Sequence, residues 1–113
     1  MKRDQLYLLK PGFRDQGATY YCPSCAELAG LLAFYPALQA KLEVHYVDFP
    51  RPRPELASRL GEANQSCPVL VLAENSTIPD APAVRQANGH GFVAGAREIG
   101  KYLARRHGID LPH

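Results

Sequence analysis

Val69-Leu70-Val71-Leu72-Ala73 is an unbroken apolar run of strand length. A strand that is apolar on both faces needs cover on both, so this one is expected in the middle of a sheet. Pro68 stands directly before it, a position that suits a strand's first residue because no ladder donor is lost there. The chain has 113 residues, 46% of them hydrophobic and 21% charged. That is enough for one self-supporting core without a staple of disulfides or metal, so residues 1–113 are expected to form a single domain.

The rest of the pattern supplies layers around that strand. Leu6-Tyr7-Leu8-Leu9 is a short apolar run stopped by Pro11-Gly12, a buried strand followed by a loop through Ala18. From Pro23 the period changes: Cys25, Leu28, Ala29 and Leu32 fall on one face of a helix, with Pro23 suited to its first position. Pro36 ends that helix, and a short helical piece over Ala37 to Leu42 is expected after it. Val44-His45-Tyr46-Val47-Asp48-Phe49 alternates as a half-buried strand does, and Pro50-Arg51-Pro52-Arg53-Pro54 stops it. A helix follows from Pro54, with Leu56 and Leu60 on one face and Gly61 at its end.

Residues Glu74 to Gly91 are rich in Pro, Asn, Ser and Gly and read as a long loop. Gly91-Phe92-Val93-Ala94 reads as a short edge strand. Ala96, Ile99 and Leu103 mark the inner face of a last helix, closed by Arg105, Arg106 and His107 as cations at its negative end and by Gly108. The fold class expected is α/β in the order β-α-β-α-β-β-α, a central mixed sheet of about four strands flanked by helices.

Charge narrows the partners little. Thirteen Lys and Arg against eleven Asp and Glu give a net charge of +2, unlike the strongly basic balance of a nucleic-acid domain. The N-terminal apolar run is too short for a secretory segment, and no stretch approaches the roughly 20 apolar residues of a membrane span. A cytoplasmic protein with no nucleic-acid or membrane partner is therefore expected; the oligomeric state is open. The three cysteines are an odd and small set, which points to reactive, metal-bound or inert thiols instead of a disulfide framework.

Two of them form Cys22-Pro23-Ser24-Cys25, between the first strand and the start of the first helix. Unpaired N–H groups and the positive dipole end favour a thiolate at Cys22, so it is expected among activated cysteines with pKa values of roughly 3.5–7.5. Cys25, one turn further in, is placed to resolve a mixed disulfide formed at Cys22. Inert core packing and metal binding remain open for the pair.

With a strand before Cys22-Pro23-Ser24-Cys25 and Cys67-Pro68-Val69-Leu70-Val71-Leu72 opening a central strand, the chain resembles the thioredoxin-like superfamily. The proline-containing motif is most similar to glutaredoxins and to the N-terminal domain of glutathione transferases. Gly95-Ala96-Arg97-Glu98-Ile99-Gly100-Lys101-Tyr102-Leu103 resembles the start of that domain's last helix. More narrowly, Gln5 to Phe13, Tyr21-Cys22 and Asn64-Gln65-Ser66 resemble a family of short bacterial proteins known as a domain of unknown function, which brings a fold but no activity. The resemblance implies a cis-proline at Pro68 facing the two cysteines. It also implies a docking edge at the backbone of Cys67 for a peptide or glutathione thiol. Two departures weigh against glutathione as the cofactor. Gly95 and Ala96 replace the Glu or Gln and Ser that hold its γ-glutamyl group, and the Pro11–Tyr21 loop is long.

The function expected is thiol–disulfide oxidoreduction on a thiol or disulfide of a protein or small molecule. Cys22 is the nucleophile and Cys25 the resolving thiol, with Cys67, Pro68 and Tyr21 docking the substrate. One alternative is a non-catalytic interaction module. Another is a zinc or iron–sulfur site built from Cys22, Cys25 and Cys67 with His90 as a fourth ligand. Cys67 reads equally as a small buried hydrophobe. His45 is expected on a polar strand face and His107 as a capping cation. Arg51, Arg53 and Arg97 are expected as a solvated basic rim.

Overall fold

A computed structural model describes residues 2–74 and 81–113. In chain order the elements are β1 (Asp4–Leu9), β2 (Phe13–Asp15), β3 (Ala18–Tyr20), α1 (Pro23–Phe34), α2 (Leu38–Lys41), β4 (Leu42–Val47), α3 (Pro54–Leu60), β5 (Val69–Val71), β6 (Arg85–Ala87), β7 (His90–Ala94) and α4 (Ala96–His107). Five strands make one mixed sheet in the order β4-β1-β5-β7-β6. β1 and β4 are parallel, whereas β5 runs antiparallel to β1, β7 to β5 and β6 to β7.

β5 is the third strand of five and is buried throughout, the position its unbroken apolar run demands. Alternation along the strands divides the core in two. Leu6, Leu8, Leu70 and Val93 face α1 and α4, packing with Leu28, Leu32, Ile99 and Leu103. Tyr7, Val69, Val71 and Phe92 point the other way, under Leu56 and Leu60 of α3. Each fully buried Leu contributes on the order of 1.5–3 kcal/mol. Among the described residues no helix is long and apolar enough to cross a membrane.

Several expectations change. The stretch between β1 and the first cysteine is not a plain loop but a β2–β3 hairpin, turning on Gln16 (φ 50°) and Gly17 (φ 84°). Two successive positive φ values define the tight turn whose twist matches paired strands. The same device at Asn88 (φ 54°) and Gly89 (φ 79°) joins β6 to β7. Part of the expected Glu74–Gly91 loop is therefore strand β6, and β7 is an inner strand, not an edge. The sheet has five strands where about four were expected. Residues 75–80 of that loop lie outside the described residues.

Candidate functional site

The cysteines gather at one end of the sheet because two connections end there. Cys22 is the N-cap of α1, with extended backbone (φ −82°, ψ 115°), and its Sγ accepts the Cys25 N–H at 3.2 Å. Pro23 fills the first helical position, and no acidic side chain lies in the first turn. The positive end of a 12-residue helix is thus left uncompensated beside the Cys22 sulfur. Cys22 is half-buried, unlike its neighbour one turn on.

Cys25 is different in kind. It is 5% exposed, inside the α1–α4 half of the core, and its Sγ accepts the Leu9 N–H at 3.3 Å. Burial, then the hydrogen bond with Cys22, pushes its thiol up to about 12. A helical period that puts Cys25 on the buried face with Leu28 and Leu32 produces this contrast between neighbours one turn apart.

Cys67 arrives from the other side of the sheet. The β1–β5 register pairs Tyr7 with Val69; carried two residues further, it brings Cys67 to the level of Leu9, whose N–H holds Cys25. The Cys67–Pro68 peptide bond is cis, as the resemblance implied, and Pro68 O accepts the Gly95 N–H at 3.2 Å. Cys67 is half-buried, and burial pushes its thiol up to about 11 against the opposing pull of the Arg53 and Arg51 guanidiniums. All three cysteines are free thiols.

Arg53 is the residue that sequence reasoning misplaced most. It is 6% exposed instead of standing on a solvated rim. Its Nε and Nη2 donate to Phe49 O at 3.1 and 2.6 Å, and Nη1 donates to Gln65 O at 2.7 Å. Its backbone N–H donates to the Gln65 side-chain oxygen. The guanidinium therefore ties the segment after β4 to the segment that carries Cys67. Buried Gln65 was likewise unrecognised as part of this clamp. No periodic pattern announces such a clamp, since Arg53 lies between two prolines outside any strand and its partners are mostly main-chain oxygens. Arg51, by contrast, is exposed and reaches Ser66 Oγ at 3.4 Å. Arg97 is exposed and pairs with Glu27 at 3.5 Å on the α1–α4 surface.

The β2–β3 hairpin flanks the same end. Phe13 stacks on Phe49 with centroids 4.3 Å apart and leans on Tyr20. Tyr21, next to Cys22, is 62% exposed, so its ring is free to meet a ligand.

His90 is not brought to the thiols. It begins β7 while Ala94 ends it beside Val69, a separation of about 14 Å at roughly 3.4 Å per residue. Among the described residues no group of three or more His, Cys, Asp or Glu side chains is placed to hold a metal ion. His45 stacks on Tyr7 at 4.8 Å and bonds Gln5, half-buried on the sheet. His107 does stand in the last turn of α4 beside Arg105 and Arg106, but its Nε2 is buried without a hydrogen-bond partner among the described residues, and burial, Lys41 and Arg106 lower its pKa, which weakens it as a cation there.

No curated protein and no solved structure matches the chain. The model of one family does match, over residues 3–111, and the chain belongs to that family, described as Protein of unknown function (DUF3088).

Proposed function

We propose that this protein is a thiol–disulfide oxidoreductase of the thioredoxin-like superfamily, with Cys22 as nucleophile and Cys25 as resolving thiol. The observation that carries the reading is the contrast within Cys22-Pro23-Ser24-Cys25. Cys22 is half-buried at an uncompensated helix N-terminus and accepts a backbone N–H, while Cys25 is enclosed and held protonated beside it. The donated backbone N–H and the positive helix end put two partial positive charges beside the sulfur proposed to attack. The element order supports the superfamily assignment once the β2–β3 hairpin, α2 and β6 are set aside as additions.

In the reaction, the Cys22 thiolate attacks one sulfur of a substrate disulfide and expels the other as a thiolate. A mixed disulfide at Cys22 results. The Cys25 sulfur, its proton passing to solvent, then attacks Cys22 Sγ and releases the second substrate sulfur as a thiolate. Two electrons have moved from the cysteine pair to the substrate, and a Cys22–Cys25 disulfide remains. Tyr21, Cys67 and Pro68 border the position where the substrate sulfur sits.

The test is reduction of a small aromatic disulfide by the reduced protein, followed by absorbance of the released thiol. Reduced wild type should release two thiols per chain and Cys22→Ser essentially none at matched time. Equal release by both would refute Cys22 as nucleophile. No release from either would leave the fold as a non-catalytic interaction module.

A further inference from the structure

The proposed reaction uses two of three thiols that the fold brings to one end of the sheet. Cys67 is left over, and its surroundings are not those of a filler residue. Arg53 is a buried guanidinium held by the carbonyl oxygens of Phe49 and Gln65 and lying over the Phe49 ring, with no carboxylate partner among the described residues. A buried charge is costly unless an opposite charge or a strong acceptor shares the site. Cys67 follows two residues after the bonded Gln65 oxygen, close enough that the Arg53 charge pulls against the effect of burial on its thiol. Cys67 is also less enclosed than Cys25, and it packs against the same cluster as Cys22 and Cys25.

We infer that Cys67 is a second resolving thiol, competing with Cys25 for the mixed disulfide at Cys22. This rests on the redox reading above and goes beyond it in naming a third reacting sulfur. The Cys67 sulfur loses its proton to solvent, with Arg53 stabilising the thiolate, and attacks Cys22 Sγ. The Cys22–substrate bond breaks, the substrate sulfur leaves as a thiolate, and a Cys22–Cys67 disulfide forms. The oxidant is the substrate disulfide, reduced by two electrons overall. Because Cys67 belongs to the proposed docking edge, this second disulfide closes that edge, whereas the Cys22–Cys25 disulfide leaves it open. The Arg53 guanidinium offsets part of the cost that burial places on the Cys67 thiolate as it forms to attack.

The experiment uses the full chain and oxidised glutathione as probe. Reduced Cys25→Ser protein is mixed with oxidised glutathione, quenched in acid, blocked with N-ethylmaleimide and mapped by mass spectrometry. A Cys22–Cys67 disulfide should accumulate, while in Cys25→Ser/Cys67→Ser the glutathione adduct at Cys22 should persist at least tenfold longer. Cys25→Ala, with and without Cys67→Ser, repeats the measurement should a buried serine hydroxyl prevent folding. A Cys22 adduct of equal lifetime in the single and double variants, with Cys67 fully blocked by maleimide after unfolding, would overturn the role of Cys67 and leave Cys22 as nucleophile intact. No adduct at Cys22 in any variant would overturn the redox reading and this inference together.

Discussion

Burial of the Cys25 thiol has a consequence for stability at alkaline pH. An unfolded cysteine ionises near 9, whereas in the folded protein the Cys25 thiol is pushed up to about 12. The folded state thus holds its proton where the unfolded state has lost it, so stability is full below pH 9 and falls as pH rises toward 12. At pH 10 the unfolded thiol gains on the order of 1 kcal/mol from ionisation while the folded thiol gains almost nothing, a net loss on the order of 1 kcal/mol from this residue. Urea unfolding at pH 7.5 and pH 10, with a phosphine reductant to keep thiols free, measures the loss. Other groups titrate over the same interval, so the quantity to compare is the pH-dependent change in wild type against that in Cys25→Ala. Wild type should lose on the order of 1 kcal/mol more, a further midpoint shift of about 0.3–1 M for a slope of roughly 1–3 kcal/mol/M. Equal losses would mean that Cys25 ionises as readily folded as unfolded. Its enclosure by Leu28 and Leu32, and its role as the protonated partner, would then be refuted.

Three further outcomes follow from the same geometry. Limited iodoacetamide at pH 7 should modify Cys22 first, because Cys25 and Cys67 stay protonated until about 12 and about 11; peptide mapping that found Cys67 or Cys25 labelled first would contradict this. Leu70→Ala, at 0% exposure on the central strand, should cost about 2–5 kcal/mol in urea unfolding, and a loss below about 1 kcal/mol would place Leu70 outside the core. The lowered pKa of His107 means the unfolded state binds a proton more readily. Stability should therefore fall as pH drops through about 6.5, and His107→Gln should flatten that part of the pH profile.

Where sequence and structure agree, a local rule and the tertiary environment point the same way. The apolar run at Val69, the period of Cys25, Leu28 and Leu32, and the glycine stops at Gly61 and Gly108 each express packing or backbone geometry that neighbours in sequence determine. The hairpins were legible too, in Gln16-Gly17 and above all in Asn88-Gly89, yet the polar composition of the surrounding stretches masked the turn signal. Arg53 was not legible. Its burial follows from main-chain oxygens at Phe49 and Gln65 converging on it, a matter of chain path and not of residue pattern. For the thiols, the helix start fixed the places of Cys22 and Cys25, whereas the approach of Cys67 depended on the strand register across β1 and β5.

The proposed chemistry requires Cys22 to form a disulfide with a resolving thiol of the same chain. Its most direct test is the thiol state of wild-type protein equilibrated across a series of glutathione ratios, read by mass spectrometry of the acid-quenched chain. A cooperative loss of two thiols is expected, with Cys22 in every intramolecular disulfide found and one cysteine still free. Three free thiols at every ratio, or a disulfide that excludes Cys22, would contradict it.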